Sequence, residues 1–443
     1  MKKLFNSLIN FIEYNYLEYF SYLLLIVWVI SPVVEYILKN YLHFGYTTYF
    51  EFAIYFIGLS GILEYIIYII KKIKDKEFDI KKMIPQILIG ILLIISIIAS
   101  IYSNDSYLSF FGEGYRKEGL IVYIMYIGYI LAASIIKNKK YVSNIFKIII
   151  FSALFIIIMP LFRYDFSYKN FSNVFFQFNH YGYYLMISTM LAGFMFVHNT
   201  KIKKIIYLLI YIFLIYILIL NDTFGCYLAI SISLTFSFIY SIIKKYKRVD
   251  IIILIVTFVA ASFLISHFVI KIGERIKVGN TQGIVSNNIS TFSSDVKKII
   301  SKDENSNTDR VGTGRGKLWK WAWKYTVNHP IIGGGMESLN SYYKDNNVKS
   351  DRPHNIMLQV SSFIGIPGAI LYLSLILYLA IVNLKNINKN TINYMVYVTA
   401  MCYYISSNFG NSMFYTSPYF MILLGFLISM YSSVSKLENS KKA

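Results

Sequence analysis

Long apolar runs alternate with short polar loops over most of the 443-residue chain. A run of about 18 to 25 apolar residues is long enough to cross a bilayer as an α-helix. The runs cover 20–38, 49–70, 84–102, 119–136, 142–162, 181–197, 205–220, 224–243, 251–270, 356–384, 392–407 and 413–434. The pattern predicts an all-α polytopic membrane protein with about twelve transmembrane helices.

One long polar stretch, residues 271–354, interrupts this alternation between the ninth and tenth runs. It divides the chain into an N-terminal transmembrane bundle at 1–270, a large loop at 271–354 and C-terminal transmembrane helices at 355–443. The loop contains three of the four Trp residues and leads into the segment DRPHN at 351–355. We therefore expect the chemistry of the protein to be concentrated in and beside this loop.

Basic residues are concentrated in alternate loops, including 71–82, 137–140, 201–204 and 244–248. Because basic loops stay in the cytoplasm, this pattern predicts that both termini are cytoplasmic and that 271–354 is extracytoplasmic. The same distribution accounts for the net charge of +20. We therefore expect the lipid bilayer, and no nucleic acid, as a partner of these charges.

The tenth run contains FIGIPGAI at 363–370, where Gly365, Pro367 and Gly368 are expected to kink or break the helix. Broken helices within a membrane are tolerated where they line a cavity. Two interpretations stay open from the sequence: a broken helix beside a cavity, or an ordinary proline kink in a tilted helix.

The segment GTGRGKLWKWAWKYTVNHP at 312–330 predicts a helix from Leu318 to Asn328, which Pro330 stops. Trp319 and the neighbouring lysines are spaced as in a helix that lies in the outer membrane interface. Arg315 stands at the expected N-terminus of this helix, where the helix dipole disfavours a cation. This placement is explained if Arg315 and the free backbone N–H groups together bind a phosphate-like anion.

The segment DRPHN stands at the start of the tenth run. Asp351 is expected to cap that helix, with Pro353 in its first turn. His354 then lies at the outer end of the helix, where the dipole keeps the imidazole neutral near pH 7 and able to accept a proton. A lone His at a membrane interface is usually structural. The neighbouring Arg352, together with Arg315 and the glycine turn at 333–335, favours a functional role.

Two further outward segments carry polar residues. Arg116, in FFGEGYRKEGL at 110–120, either extends to the interface from a helix end or binds phosphate. Asn179 and His180, at the start of the 181–197 run, either contact a polar ligand or cap the helix.

Several catalytic signatures are absent from the sequence. It has no Walker-type P-loop, no His/Cys/Glu cluster with metal-ligand spacing and no G-x-S-x-G elbow. We therefore expect no cofactor and no metal. Outward-facing chemistry without a nucleotide motif favours a donor that arrives already activated and anchored to lipid.

Taken together, these blocks resemble the O-antigen ligase/polymerase superfamily, the WaaL, Wzy and teichuronic acid polymerase type. The resemblance rests on GEGYRKEGL, FNHYGYYL, GRGKLWKWAW with NHPIIGGG, and RPHNIMLQ with GIPG. It implies a GT-C-like fold with a long external loop between helices nine and ten, in a bacterial plasma membrane. It also implies a metal-independent, inverting glycosyltransferase, which passes a glycan from undecaprenyl diphosphate to an acceptor sugar hydroxyl on the outer face. Both polymerases and ligases belong to this type.

By this resemblance, Arg315 is a diphosphate ligand, His354 is the general base and Arg116 is a further catalytic cation. We expect substrate contacts from a second set of residues: Arg352, Asn355, Arg310, Asn179, His180 and Trp319. Many members have a Ser-Arg-Gly turn where this chain has Thr223-Phe224-Gly225. Either Arg116 or Arg352 substitutes for that cation, or the substrate class differs.

Two other functional classes stay open. A polytopic secondary transporter or lipid-linked glycan flippase would also have about twelve spans and a kinked helix. It would be expected to show internal repeats and charges at mid-membrane, and neither is clear in this sequence. A non-enzymatic membrane scaffold or sensor is the third class, and the grouping of Arg and His residues argues against it.

Overall fold

The computed structural model describes residues 13–45, 47–114, 116–161, 174–175, 177–221, 223–276, 311–385, 387–411 and 413–439. This part of the chain consists of helices and connecting turns, with no β-strand. Two short 3₁₀ helices lie at Ile80–Met83 and Ile387–Lys389. The α-helices are α1 (Tyr14–Val29), α2 (Ser31–Tyr41), α3 (Thr48–Lys74), α4 (Ile84–Ile101), α5 (Ser106–Phe111), α6 (Leu120–Ile135), α7 (Lys139–Leu161), α8 (Phe178–His198), α9 (Lys201–Asn221), α10 (Phe224–Lys244), α11 (Arg248–Ile276), α12 (Val311–Asn328), α13 (Ser338–Asp345), α14 (Ile356–Leu384), α15 (Thr391–Ser407) and α16 (Ser417–Asn439).

Every apolar run predicted from the sequence coincides with helix in the described residues. Six helical stretches there are long and apolar enough to cross a membrane, at 48–74, 80–101, 139–160, 201–221, 224–244 and 356–384. Helices α6 and α16 are apolar but contribute shorter stretches. The all-α polytopic architecture is therefore confirmed, whereas the number of about twelve spans and the long external loop stay predictions.

The first predicted run is not one straight helix. It is the pair α1 and α2, bent by 41°, which forms a seventh candidate span if the pair crosses as one unit. Pro32 at the start of α2 explains the bend. It has no N–H for the helical hydrogen bond, and its ring conflicts with the carbonyl four residues earlier.

Helix α6 packs closely against two neighbours, α3 and α16. A Cβ added to Gly128 of α6 would lie 1.9 Å from the carbonyl oxygen of Gly58 in α3. A Cβ on Gly425 of α16 would lie 2.4 Å from the carbonyl oxygen of Ile130. Such close backbone approach between small residues is a common basis of helix association in membranes. It fixes the position of α6 and of the loop at 112–119 that leads into it.

Helix α14 is broken at Ile364 and Gly365, where the backbone angles are not helical. Pro367 has no N–H to donate to the carbonyl of Phe363, so the helical ladder is interrupted there. Gly365 has a φ of +74°, in the left-handed region that glycine adopts without a steric penalty. The sequence-based expectation of a break in this segment is confirmed.

The segment 330–335 pairs with the backbone groups that the break leaves unsatisfied. The N–H groups of Gly334 and Gly335 donate to the carbonyls of Ser362 and Phe363, each at 3.0 Å. In return, the N–H of Ile366 donates to the carbonyl of Pro330 at 2.8 Å. The freed groups are thus satisfied within the protein, as a broken helix at membrane depth requires.

Helix α12 begins at Val311, not at Leu318 as predicted. The glycine-rich segment is therefore helical, and Arg315 lies one turn inside the helix and not at its N-terminus. The low helix propensity of these glycines therefore does not delay the start of the helix. Towards its C-terminal end, α12 contacts α14, where the Thr326 hydroxyl lies 3.2 Å from the hydroxyls of Ser361 and Ser362.

Gly365→Ala should lower the free energy of unfolding by about 1–3 kcal/mol, since alanine is strained at this positive φ. Its Cβ would also lie 2.3 Å from the carbonyl oxygen of Ile331. Gly90→Ala in α4 is the matched control, because no atom lies within 4 Å of the added Cβ. Thermal unfolding of both variants in one detergent tests this prediction. Equal behaviour of the two variants would show that the break does not depend on Gly365.

Candidate active site

Two segments that are distant in sequence, 116–118 and 351–352, are joined by two reciprocal ion pairs. Arg116 binds Asp351 through Nε to Oδ2 and through Nη2 to Oδ1, the second at 3.0 Å. Glu118 binds Arg352, with 2.5 Å between Oε2 and Nη1. Each segment therefore contributes one cation and one anion. The pairs hold the loop before α6 and the segment before α14 in a single register.

Arg352 is fully buried and has a second carboxylate partner, Glu337, through its Nη2. Burial alone would lower the pKa of Arg352, but Glu337 and Glu118 raise it well above its usual value, so the guanidinium stays charged. Glu118 also accepts hydrogen bonds from Tyr126 and, at 3.2 Å, from Ser417. The structure thus gives Arg352 two buried carboxylate partners. In the described residues Arg352 joins parts of the site, and its contact with substrate stays a prediction.

The prediction that Asp351 caps α14 was wrong. Asn355 caps this helix: its Oδ1 accepts from the N–H of Leu358 at 3.0 Å. Asp351 pairs with Arg116, whose guanidinium holds the pKa of Asp351 at about 2, although burial opposes this shift. A charge-assisted, two-point contact with a guanidinium is stronger than a neutral cap, so the long-range contact prevails.

One neighbour of His354 also differs from the prediction: Pro353 precedes α14, because the helix begins only at Ile356. The contact of Asn355 with substrate stays a prediction. In the structure, its Oδ1 forms the cap and its Nδ2 donates to the carbonyl of Asn408 at 3.2 Å. Both amide atoms of Asn355 are therefore engaged in holding the backbone.

His354 lies between these anchored residues, in a left-handed backbone conformation with φ +54°. Its Nε2 is 3.2 Å from Nδ2 of Asn411. Burial, followed by the positive charges of Arg315 and Arg116, lowers the pKa of His354 to about 4. The imidazole is therefore neutral near pH 7, as predicted. The causes are burial and two neighbouring cations, and not the helix terminus that the sequence had suggested.

Arg315 is a partly buried cation near His354 and Tyr183. Burial lowers the pKa of Arg315, and no carboxylate in the described part of the chain forms an ion pair with it. Trp319 follows one turn later on the same face of α12, and its buried Nε1 has no acceptor among the described residues. A cation and an N–H donor side by side suit a ligand with negatively charged oxygens.

His180 contacts Arg116. Its Nε2 lies 3.5 Å from Nη1 of Arg116, and its Nδ1 lies 2.6 Å from the hydroxyl of Tyr415. Because a guanidinium can only donate, Nε2 accepts and Nδ1 carries the proton. His180 thus orients Arg116 from the first turn of α8. Asn179 precedes it and is partly exposed.

The structure brings three predicted catalytic residues, Arg116, Arg315 and His354, to one end of the bundle, with His180 beside Arg116 and Trp319 beside Arg315. Arg310 lies outside the described residues. Three residues of the site were not identified from the sequence: Glu118, Glu337 and Asn411. The only available signal was the order of charges, which is positive then negative at Arg116 and Glu118 and negative then positive at Asp351 and Arg352. Nothing in the sequence indicated Asn411.

The described residues contain no group of three or more His, Cys, Asp or Glu residues arranged to hold a metal ion.

Residues 209–373 match the Wzy_C family model, described as O-antigen ligase. The resemblance to the O-antigen ligase/polymerase superfamily is confirmed. No curated protein matches the chain. The family match covers less than half of the 443 residues but includes both Arg315 and His354. Together with the apolar helices, it supports a multi-pass membrane protein of the glycan ligase and polymerase class, with glycosyltransferase-like activity.

Arg352→Met should destabilise the protein by about 3–5 kcal/mol, because it leaves two buried carboxylates without a cation. Lys344→Met is the control: the ion pair of Lys344 with Glu113 is solvent-exposed on the lysine side, and its loss should cost about 1 kcal/mol or less. Thermal unfolding in detergent measures both changes. A small effect at Arg352 would contradict the structural role assigned to this residue.

Proposed function

We propose that the protein is a metal-independent, inverting membrane glycosyltransferase. It transfers a glycan from undecaprenyl diphosphate to an acceptor sugar hydroxyl at the outer face of a bacterial plasma membrane, as a polymerase or a ligase. One observation carries this proposal: Arg315, a partly buried cation without a carboxylate partner among the described residues, lies close to the neutral His354.

In the proposed reaction, the acceptor hydroxyl oxygen attacks the anomeric carbon while the bond to the diphosphate oxygen breaks. The hydroxyl proton passes to His354, and the diphosphate leaves with the bonding electron pair. Arg315 stabilises the negative charge that grows on the leaving group, an interaction that strengthens towards the transition state. Attack from the face opposite the leaving group inverts the configuration.

The low pKa of His354 fits this order of events. In the protein without donor, burial and the charges of Arg315 and Arg116 disfavour the imidazolium. A bound diphosphate adds negative charge beside these cations and offsets their effect on the imidazole. The pKa of His354 then rises towards the range that suits a general base. The base thereby becomes effective when the donor is in place.

Arg116 is the proposed second cation, in place of the arginine that many relatives have at the position of Phe224. Its pairing with Asp351 already offsets much of its charge. We therefore assign the larger share of diphosphate stabilisation to Arg315. Arg116 contributes by orienting the segment that contains His354.

The proposed orientation, with both termini in the cytoplasm, rests on the basic residues of alternate loops. At these loops the hydroxyl of Tyr431 donates to the carbonyl of Lys81 at 3.0 Å, and Glu18 accepts from the N–H of Lys137 at 2.7 Å. Lys204 pairs with Asp250. These contacts belong to the basic loops, as the positive-inside rule requires of one membrane side.

A cavity of about 160 Å³ between α4, α6, α14 and α16 is the proposed site for part of the donor's lipid chain. Its wall is almost entirely apolar and includes Leu93 and Phe363 beside the break in α14. Tyr126 and Ser417 also line it, and both donate to Glu118 of the ion cluster. An apolar cavity of about 150 Å³ is known to bind a molecule the size of benzene, so this one can take a short length of hydrocarbon.

Leu93→Trp should fill part of this cavity and raise KM for the lipid-linked donor about tenfold. This is the loss expected when about two methylene groups lose their buried site, at ~0.8 kcal/mol each. Ile94→Trp is the matched control, because Ile94 is adjacent on α4 but points outwards. Steady-state kinetics with purified donor in detergent measure KM. An unchanged KM in Leu93→Trp would exclude the cavity as the lipid site.

Arg315→Ala and His354→Ala should each lower the rate of glycan transfer by about 10²-fold or more, because they remove transition-state charge stabilisation and the general base. Lys320→Ala is the control: Lys320 is exposed on α12. The assay follows product formation from lipid-linked donor, with protein abundance measured in parallel. Normal transfer by both variants would reject the proposed mechanism and favour the transporter or flippase alternative.

A further inference from the structure

Asn411 makes the only side-chain hydrogen bond to the His354 ring among the described residues. It lies in the turn between α15 and α16 and is almost completely buried. Its amide lies 3.2 Å from Nε2 of His354, while the Oδ1 of the same amide is buried with no partner among the described residues. The other ring nitrogen, Nδ1, forms no hydrogen bond within the described part of the chain.

The orientation of this amide decides whether His354 can act as a base. The oxygen and nitrogen of an amide have nearly the same shape, so either atom can face the ring. If Nδ2 donates to Nε2, the proton of the neutral ring must sit on Nδ1, and neither nitrogen has a lone pair available. If Oδ1 accepts from Nε2–H, Nδ1 keeps its lone pair.

The charge change during the reaction favours the orientation in which Oδ1 faces the ring. When the ring takes up a proton, it becomes an imidazolium with an N–H on both nitrogens. An amide oxygen at Nε2 stabilises that cation, whereas an amide N–H pointing at Nε2 would oppose it. Only the orientation with the oxygen at Nε2 serves a base that is protonated in the transition state.

We propose that Asn411 is a positioning residue whose side-chain oxygen accepts from Nε2–H of His354 and so keeps Nδ1 as the proton acceptor for the sugar hydroxyl. This inference rests on the proposed function of His354. During transfer, the hydroxyl proton moves to Nδ1 while Nε2–H stays bonded to Asn411. The role matches that of the groups that fix the tautomer of catalytic histidines by bonding to the second ring nitrogen.

The tautomer can be observed directly in the intact protein. In protein labelled with ¹⁵N-histidine, the two ring nitrogens of His354 have distinct shifts for N–H and lone-pair nitrogen, and a His354→Gln sample assigns them. Measured at neutral pH in detergent or lipid, Nε2 should carry the proton. A wild-type protein with the proton on Nδ1 would overturn the proposal.

Three variants test the role in catalysis. Asn411→Leu removes the acceptor at similar size and should lower kcat about ten- to hundred-fold, with little change in KM and loss of the single tautomer. Asn411→Asp keeps an acceptor and should retain most of the activity. Asn383→Leu is the control, since Asn383 also has a buried Oδ1 without a partner among the described residues, at the far end of α14. It should leave kcat and the tautomer unchanged.

The pH profile adds a readout that a purely structural residue would not change. In Asn411→Asp, the new carboxylate favours the imidazolium, so the loss of kcat on acidification should begin at higher pH than in the wild type. The other charged or titratable groups around the ring are the same in both proteins: Arg315, Arg116, Asp351, Arg352 and His180.

The outcomes separate this inference from the proposed function. Full activity of His354→Gln would reject His354 as the base, and both proposals would fail. An inactive His354→Gln with wild-type kcat and tautomer in Asn411→Leu would reject the role of Asn411 alone. Loss of kcat in Asn411→Leu together with retained activity in Asn411→Asp would support it.

Discussion

The two reciprocal ion pairs between 116–118 and 351–352 are the interaction on which the site depends. Their buried charges are costly, and the cost is offset only when both pairs form together with good geometry. One segment leads into α6 and the other into α14, so the register of the pairs determines where the next residues along each segment lie. His354 comes two residues after Arg352. A slip that brought Arg352 opposite Arg116 would face two like charges, so the pairs specify the position of His354 more than they stabilise the fold.

The same pairs divide the arginines of the site by function. Arg352 is held by Glu118 and Glu337, and Arg116 by Asp351. Their positive charges are therefore offset before any substrate arrives. Arg315 alone among these three has no carboxylate partner in the described part of the chain. A cation that is desolvated but not neutralised in the free protein gains most when a negative charge develops beside it. This contrast gives a physical reason for assigning diphosphate stabilisation to Arg315, beyond the resemblance on which the sequence assignment rests.

Features that arise from local rules could be predicted from the sequence, whereas features that depend on distant partners could not. The apolar runs are recognisable from their length and composition. The break near Gly365 is recognisable because Pro and Gly affect the backbone of their immediate neighbours. Arg315 and His354 could be proposed from their segments. Asp351 was misassigned as a cap because its partner, Arg116, is 235 residues away. The two carboxylate partners of Arg352 could not be predicted for a similar reason: a guanidinium that binds phosphate and one that binds buried carboxylates are identical in sequence.

The broken helix α14 links the segment of His354 to the segment of Arg315 through backbone hydrogen bonds. The turn at 330–335, which closes the break, comes directly after α12, the helix of Arg315. The N-terminal end of α14 itself comes just after His354. The segment that contains Arg315 and the segment that contains His354 are thus linked, because the turn after α12 is hydrogen-bonded to α14 at Ser362, Phe363 and Ile366. Movement of this turn away from α14 would leave those backbone groups without partners, and an unpaired backbone group in an apolar environment costs several kcal/mol. If the proposed function holds, this link between the two segments is present before the donor binds, and the lipid-linked donor would enter from the side, along the cavity beside the break.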